Sequence, residues 1–335
     1  MKPKYILGID QGGTKTAALV CDTDGNILGT GFADGLYTVY FNDTEGVFLK
    51  RIARAAKDAC DAAGIKPRDV SAACGGLNGA DWDYEYPILT ERMSHALNIP
   101  DTIVLNDCMA AMRGGSPNRE CAVICAGSGL NAAVRRADGQ QVIYGYFIDG
   151  KYQGASALGT AALRKVMDAY LGICGQTSLT ELILGYTGHS SALELMMDIS
   201  AEKYKLDNKL LAPLLLKAYA GGDKESAGVV CDFSYGAARY ITAAMNGLRM
   251  NGRALDIVFS GGVFKDNGVL VADRIYDFIA LTEPGARKVH ARYEPVCGAA
   301  LTVLDREYGG EMPGKVKDSF DESAGARGLL RSLKG

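Results

Sequence analysis

Residues 5–24 have the sequence YILGIDQGGTKTAALVCDTD, and this stretch decides the fold. Its first half predicts an apolar strand from Tyr5 to Ile9, and its second half predicts another from Ala17 to Cys21. The turn between them, Gly12-Gly13-Thr14, can be tight because glycine tolerates backbone conformations that other residues avoid. The stretch is therefore predicted to be a β-hairpin with a glycine-rich tip.

The hairpin tip carries groups that suit a chain of phosphates. The backbone N–H groups of Gly12 and Gly13 can meet an anion with no Cβ in the way, and Thr14 and Thr16 add hydroxyl groups. Asp10 precedes the turn, where it is placed to hold a hydrated divalent cation. These residues predict a site for a nucleoside triphosphate, and a glycine-rich hairpin without a ligand is the alternative.

The spacing excludes two commoner phosphate-binding patterns. A Walker A loop has Gly-Lys-[Ser/Thr] followed by a helix, whereas here Thr14 separates Gly13 from Lys15 and a strand is predicted to follow. The dinucleotide fingerprint needs G-x-G-x-x-G at the start of a helix, and this hairpin does not supply it.

Composition narrows the classes of protein and partner. The chain has 335 residues, 48% of them hydrophobic, which is enough for one large or two medium cores. Its formal net charge is -3 with both signs mixed, which argues against nucleic acid and anionic membranes as partners. No apolar run approaches the roughly 20 residues of a membrane helix, and no targeting segment is recognised. Nine cysteines, mostly in apolar runs, indicate reduced thiols, so we expect a cytoplasmic protein.

The order of predicted elements is that of an open α/β domain. A third strand from Ile27 to Phe32 completes an antiparallel meander, and residues 44–63 have helical spacing after Thr44, a candidate N-cap. Strands and a helix then alternate, as they do in parallel sheets. These elements are Val70–Leu77, Tyr86–Leu97 and Thr102–Leu105.

Residues 120–145 repeat the order of the first 33 residues: strand, glycine turn, strand, acidic-glycine turn, strand. Gly127-Ser128-Gly129 takes the place of the first glycine turn. Two such halves facing each other would place two phosphate-binding hairpins across one cleft. A mostly helical stretch follows, and residues 257–263 then add a strand and a second double-glycine turn, Gly261-Gly262.

Six short motifs follow one another along the chain. They are Asp10–Thr14, Gly76–Asp81, Leu105–Asp107, Ala126–Asn131, Phe259–Phe264 and Pro295–Ala300. Taken in this order, they resemble the acetate-kinase/actin/hexokinase superfamily, and within it the BadF/BadG-type ATPase and N-acetylglucosamine kinase family. The resemblance spans about residues 5 to 304.

The resemblance implies an α/β protein with two ribonuclease-H-like (actin-like ATPase) domains around a cleft that holds ATP and Mg²⁺. The implied division is an N-terminal lobe over 1–115, a C-terminal lobe with a helical insertion over 116–308, and a surface tail over 309–335. A homodimer is compatible with it.

The resemblance also implies roles for residues. Asp107 would accept the proton of the attacking sugar hydroxyl, although an aspartate at a helix start can also serve as an N-cap. Asp10 would hold Mg²⁺, and Gly261 with Gly262 would let the adenosine lie on the backbone. The phosphate contacts would come from Gly12, Gly13, Thr14, Lys15, Thr16, Gly127, Ser128 and Gly129, and the acceptor contacts from Asn78, Gly79, Asp107, Asn131, Tyr152 and Gln153.

The sequence departs from the family where the family binds its sugar. Tyr152 and Gln153 stand in place of an Asp-Glu pair, and the single tryptophan, Trp82, lies elsewhere. A kinase that uses ATP and Mg²⁺ on a sugar or amino-sugar hydroxyl is expected, with the acceptor left open. The alternative is an ATP-hydrolysing switch that acts on a protein partner and has no small acceptor.

Overall fold

The computed structural model describes residues 4–36, 43 and 45–331. The chain forms two compact units, unit 1 within Met1–Val123 and Val289–Ser332, and unit 2 within Ile124–Lys288. Unit 1 is therefore discontinuous in sequence, which differs from the predicted division at residues 115 and 308. The chain returns to unit 1 for its last helices.

Unit 1 is built on a five-stranded sheet with the order β3-β2-β1-β4-β5. The strands are β1 (Tyr5–Gln11), β2 (Lys15–Asp22), β3 (Ile27–Asp34), β4 (Val70–Leu77) and β5 (Thr102–Asn106). The meander β1-β2-β3 is antiparallel, whereas β4 and β5 continue the sheet in parallel with β1. The carboxyl ends of three strands thus meet at one edge, where Gln11, Leu77 and Asn106 are neighbours in register.

Helices cover both faces of this sheet. They are α1 (Val47–Ala62), α2 (Glu85–Leu97), α3 (Asp107–Gly115), α10 (Pro295–Glu307) and α11 (Gly314–Ala326), numbered along the whole chain. Apolar residues of α1 and α2, such as Ile52 and Met93, fill one core, and residues of α10 and α11 fill the other. The predicted N-cap, Thr44, lies outside the described residues; the Asp43 carboxylate accepts hydrogen bonds from the Val47 and Phe48 N–H groups.

The expectation of a surface tail after residue 308 is wrong for helix α11 (Gly314–Ala326), which packs into the core of unit 1. Val316, Phe320 and Ala324 recur at helical spacing and are buried, and Phe320 and Ala324 join the core formed with α10. Charged and small residues between them hide this stripe in the sequence, because the overall composition is polar.

The second sheet has the order β10-β9-β6-β7-β8. Its strands are β6 (Cys121–Ala126), β7 (Leu130–Arg135), β8 (Gln141–Ile143), β9 (Leu255–Ser260) and β10 (Ala286–His290). Read from its other edge, this order is β8-β7-β6-β9-β10, which matches the order β3-β2-β1-β4-β5 of the first sheet strand by strand. The predicted α/β fold with a repeated strand order is confirmed.

The helical insertion of unit 2 lies between β8 and β9, and one more helix follows β9. The helices are α4 (Gly154–Tyr170), α5 (Leu179–Thr187), α6 (Ala192–Ser200), α7 (Ala212–Ala220), α8 (Lys224–Gly247) and α9 (Val269–Ala280). Across the described ranges, no helix combines the length and the apolar character that crossing a membrane requires. None of the nine cysteines, all within those ranges, forms a disulfide.

Candidate active site

The first glycine turn closes as a short hairpin between β1 and β2. The Gly12 N–H group donates to the Lys15 carbonyl oxygen at 2.9 Å, which leaves Gly12, Gly13 and Thr14 at the tip. A Cβ added to Gly12 would approach no protein atom more closely than 3.4 Å, at that same carbonyl oxygen. Packing within the protein therefore does not require glycine here, and the open space suits a ligand.

The side chains of this hairpin differ in their exposure to solvent. Thr14 and Lys15 are exposed. Thr16 is fully buried, and its hydroxyl donates to the Asp34 carbonyl oxygen at 3.1 Å. This hydroxyl links β2 to β3, and the phosphate contact of Thr16 stays a prediction.

Asp10 lies near the end of β1 and is almost buried, with 9% of its surface exposed. Burial raises the pKa of Asp10 to about 6; the Lys15 charge opposes this rise, the Glu294 charge adds to it, and the Arg331 charge opposes it. A carboxylate in this setting gains from a cation, since a cation stabilises its charged form.

Asp107 is the first residue of α3 and follows directly on β5. The N-cap position belongs to Asn106, whose Oδ1 accepts a hydrogen bond from the Cys108 N–H group at 2.9 Å. Helix α3 can approach the sheet because Gly76 has no side chain; a Cβ there would lie 2.8 Å from the Ala110 Cβ. Asn106 thus occupies the capping position that was the alternative role for Asp107.

Asp107 is protonated up to a higher pH than an exposed aspartate, because its surroundings disfavour the charged form. Burial, together with the charges of Asp10 and Asp81, raises the pKa of Asp107 to about 7, although backbone hydrogen bonds from Cys108 and from Asp107 itself oppose the rise. A carboxylate whose pKa lies near neutrality is suited to accept a proton and return it.

Asp81 is a third carboxylate at this edge, and it was not among the predicted site residues. The Asn106 Nδ2 donates to Asp81 Oδ1 at 2.6 Å, and the Glu85 carboxylate accepts the Asp81 N–H group at 2.9 Å. Burial raises the pKa of Asp81 to about 6, the Glu85 charge adds to the rise, and the Asn106 hydrogen bond opposes it. The Gly76–Asp81 motif was the signal that could have identified it.

The Asn78-Gly79 turn joins β4 to this carboxylate group. The Asn78 N–H group donates to the Gln11 carbonyl oxygen at 2.9 Å, which places the turn beside the end of β1. Gly79 has a φ of 80°, in the left-handed region that favours glycine. Asn78 and Gly79 are both half-buried.

The donor set of unit 1 fits a hydrated magnesium ion. Among the residues with described positions, no three or more His, Cys, Asp or Glu side chains are grouped as a complete metal site. Mg²⁺ is commonly held by one or two carboxylates while water and phosphate oxygens complete its shell. Asp10, buried beside the open hairpin, is the residue that could hold it.

The second glycine turn is supported by the start of α4. The Ala155 and Ser156 N–H groups donate to the carbonyl oxygens of Gly127 and Ser128, at 2.9 and 3.1 Å. Gly154, with a φ of 49°, allows this approach, because a Cβ there would lie 2.2 Å from the Gly129 carbonyl oxygen. A Cβ on Gly127 would meet nothing within 4 Å, so the tip of this hairpin also has open space.

Tyr152 and Gln153, predicted to contact the acceptor, are engaged inside unit 2. The Tyr152 ring is buried against Gly236 of α8, where an added Cβ would lie 2.2 Å from the ring. Gln153 accepts the Leu130 N–H group at 3.0 Å and donates to the Ile148 carbonyl oxygen at 3.1 Å. These contacts occupy the Tyr152 ring and both ends of the Gln153 amide, so an acceptor contact from either residue stays a prediction.

The two glycines after β9 differ in how closely protein atoms surround them. Gly261 has a φ of 113°, and its added Cβ would lie 2.2 Å from the Ala126 carbonyl oxygen. Gly262 has no protein atom within 4 Å of an added Cβ. Gly261 is therefore required by the chain itself, while Gly262 leaves space. Asn131, the second residue of β7, is half-buried.

Comparison with known proteins places these features in a family. The sequence model of the BadF/BadG/BcrA/BcrD ATPase family matches residues 7–303. An N-acetyl-D-glucosamine kinase from Dictyostelium discoideum is 23% identical to this chain, over 91% of this chain and 99% of that protein. An N-acetylmuramic acid/N-acetylglucosamine kinase from Clostridium acetobutylicum is also 23% identical, over 89% and 97%.

A solved structure shares the fold. The glucokinase of the ROK family from Streptomyces griseus, in complex with glucose and AMPPNP, superimposes with a TM-score of 0.61. The two sequences are 19% identical over 89% of this chain and 98% of that one.

Proposed function

Because the chain belongs to the BadF/BadG/BcrA/BcrD ATPase family, we propose that it is a kinase that uses ATP and Mg²⁺ to phosphorylate a hydroxyl of a sugar or amino sugar. The observation that carries the proposal is Asp107, a carboxylate at the start of α3 whose pKa burial raises to about 7. A switch that only hydrolyses ATP has no sugar hydroxyl to deprotonate.

Asp107 acts as the general base in this proposal. The acceptor hydroxyl gives its proton to the Asp107 carboxylate while its oxygen forms a bond to the γ-phosphorus, and the bond from that phosphorus to the β-phosphate oxygen breaks to release ADP. Near neutral pH a substantial fraction of Asp107 is ionised and able to accept the proton. The phosphorylated sugar and ADP are the products.

The open glycine hairpins bind the phosphates. In unit 1, Gly13 and Thr14 offer backbone N–H groups and the Thr14 hydroxyl, with Lys15 beside them and open space at Gly12, whose own N–H group is bonded within the hairpin. In unit 2, Ser128 and Gly129 offer the equivalent N–H groups beside the open space at Gly127. Asp10 would hold Mg²⁺, and the ion would supply positive charge to neutralise the transferred phosphoryl group. Gly262 provides the space that adenosine needs against the backbone.

We propose an amino sugar as the acceptor, because the names of two relatives favour one. Both curated relatives are named for N-acetylglucosamine, and one of them also for N-acetylmuramic acid. Asn78 and Gly79 of unit 1 and Asn131 of unit 2 remain as proposed acceptor contacts. Tyr152 and Gln153 are left out of that set because their side chains are engaged elsewhere.

The test is ADP release with ATP and Mg²⁺ in the presence of N-acetylglucosamine, glucosamine, N-acetylmuramic acid, glucose or no acceptor. We expect one amino sugar to stimulate ADP release strongly, with its phosphorylated form detected by mass spectrometry. ADP release that is slow and indifferent to every sugar would contradict the kinase and favour the ATPase that acts on a protein partner.

A further inference from the structure

The segment that follows α11 packs against the start of α10. The Glu294 N–H group donates to the Leu329 carbonyl oxygen at 2.9 Å, and the Arg331 N–H group donates to the Arg292 carbonyl oxygen at 2.8 Å. Tyr293 and Leu330 form an antiparallel bridge between these hydrogen bonds. The backbone of this segment is therefore fixed beside Glu294.

This pairing brings three charged side chains of unit 1 into a row, which we call the Arg331–Glu294–Lys15 row. Arg331 Nε lies 3.4 Å from Glu294 Oε1, and the other oxygen, Glu294 Oε2, lies 3.7 Å from Lys15 Nζ. The exposed fractions of the side chains rise along the row, from 11% for Arg331 through 19% for Glu294 to 54% for Lys15. The row thus runs from a nearly buried cation to the exposed phosphate hairpin.

Arg331 acts on Glu294 mainly through its charge. Its Nε is buried and makes no hydrogen bond, so the 3.4 Å approach to Glu294 is an ion pair without hydrogen-bond alignment. An ion pair shielded from water is screened less than one in solvent. The positive charge of Arg331 therefore offsets much of the negative charge of Glu294 at the point where Glu294 faces Lys15.

We propose that Arg331 is a positioning residue for nucleotide binding: it neutralises Glu294 and thereby leaves the Lys15 ammonium available to the phosphates of ATP. The inference rests on the proposed function, because it assigns Lys15 to the nucleotide. Without Arg331, the Glu294 carboxylate holds Lys15 more strongly and also repels the phosphates that approach the hairpin. Both effects weaken ATP binding and leave the general base untouched.

Arg331→Met and Arg331→Lys test the inference, with Arg327→Met as the matched control. Arg327 lies on the same segment but donates to the Ile27 and Leu28 carbonyl oxygens of β3, at 2.9 and 2.6 Å. We expect Arg331→Met to raise both KM and the calorimetric Kd for ATP about fivefold, with kcat changed less than about twofold. Arg331→Lys should recover most of the affinity, and Arg327→Met should lower Tm without changing KM for ATP.

Glu294→Gln shows whether Arg331 acts through Glu294. In the Glu294→Gln protein, Arg331→Met should have a much smaller effect on the Kd for ATP, because the Glu294 carboxylate is gone and only the weaker interaction of Arg331 with Asp10 remains. Glu294→Gln alone should tighten ATP binding. If Arg331→Met does not fold, the affinities of Arg331→Lys and Glu294→Gln decide the question, since both keep the packing.

Two results would overturn the inference. One is an unchanged KM and Kd for ATP in Arg331→Met, and the other is an equal loss in the Glu294→Gln background. Failure of the proposed function looks different, since the unmodified protein would then show no stimulation by any sugar, whatever the state of Arg331. If Arg331→Met weakened ATP binding in a protein that no sugar stimulates, the role of Arg331 in nucleotide binding would be supported and the proposed kinase activity contradicted.

Discussion

Asn106 donates a hydrogen bond to Asp81 at 2.6 Å and accepts one from the Cys108 N–H group at 2.9 Å. The same amide therefore holds a carboxylate of the β4–α2 connection and the first turn of the helix that carries Asp107. Asn106 is fully buried, so few other positions are open to it. Its geometry links the stability of α3 to the arrangement of the carboxylates.

Asn106→Ala should lower both stability and turnover. Loss of the N-cap costs about 1 kcal/mol in the free energy of unfolding, and Asp81 loses its hydrogen-bond donor as well. Because the start of α3 carries Asp107, we expect kcat to fall more than about tenfold, and urea denaturation with steady-state kinetics measures both effects.

Ser191→Ala is the matched control for the cap. Ser191 caps α6 in the helical insertion and accepts the Glu194 N–H group at 3.2 Å. It should show a similar loss of stability with no change in kcat. If Asn106→Ala lost stability but kept its kcat, Asn106 would serve folding alone.

Asp107→Asn should remove phosphoryl transfer and spare ATP binding. The amide keeps the size of the side chain but cannot accept the hydroxyl proton, so kcat should fall by about 10²–10⁴-fold. Calorimetry should give a Kd for ATP close to that of the unmodified protein. Asp83→Asn, a change at an exposed aspartate near Asp81, is the control; equal turnover in both variants would assign the base elsewhere.

The pH dependence of stability has a definite sign. The pKa of Asp107 is about 7 in the folded protein and close to its ordinary value of 3.8 in the unfolded chain. Between these values the folded state binds more protons, so the free energy of unfolding should decrease as the pH rises from about 4 to about 7. Asp107→Asn should flatten this decrease in denaturation curves measured without nucleotide or Mg²⁺; an unchanged slope would argue against the raised pKa.

Activity should follow the opposite course. Only ionised Asp107 accepts the hydroxyl proton, so kcat/KM for the acceptor should increase with pH up to about 7 and then level off. The measurement is a pH profile of kcat/KM at saturating ATP. A profile without an acid limb near neutrality would exclude Asp107 as the titrating base.

Gln153→Glu should destabilise unit 2 and fail to create a sugar-binding acid. The Gln153 amide nitrogen donates to the Ile148 carbonyl oxygen at 3.1 Å, and a carboxylate would place an acceptor against that oxygen. We expect a loss of about 1–3 kcal/mol in the free energy of unfolding, from thermal or urea denaturation. Gln140→Glu is the control, because Gln140 is exposed and accepts from Arg136; a more active, equally stable Gln153→Glu would contradict this view.

What the sequence could predict here depends on how local each signal is. The two glycine hairpins and their strands were predictable, since turn residues and apolar runs lie next to one another in the chain. The position of Tyr152 was not, because it depends on the missing side chain of Gly236, which lies on a helix far along the sequence. Asp81 was missed for a similar reason: its hydrogen bond to Asn106 joins two strand ends that only the parallel sheet brings together.

Gly127→Ala and Gly261→Ala should separate the ligand-facing glycines from the structural ones. A methyl group on Gly127 meets no protein atom within 4 Å, so the variant should keep its Tm but bind ATP more weakly, because the methyl occupies the space of the phosphates. Gly261 has a φ of 113° and would place its Cβ 2.2 Å from the Ala126 carbonyl oxygen, so Gly261→Ala should unfold more easily. Differential scanning calorimetry with and without ATP measures both. An unchanged ATP affinity in Gly127→Ala would remove the second hairpin from the nucleotide site, whereas weaker ATP binding at an unchanged Tm would place its tip against the phosphates.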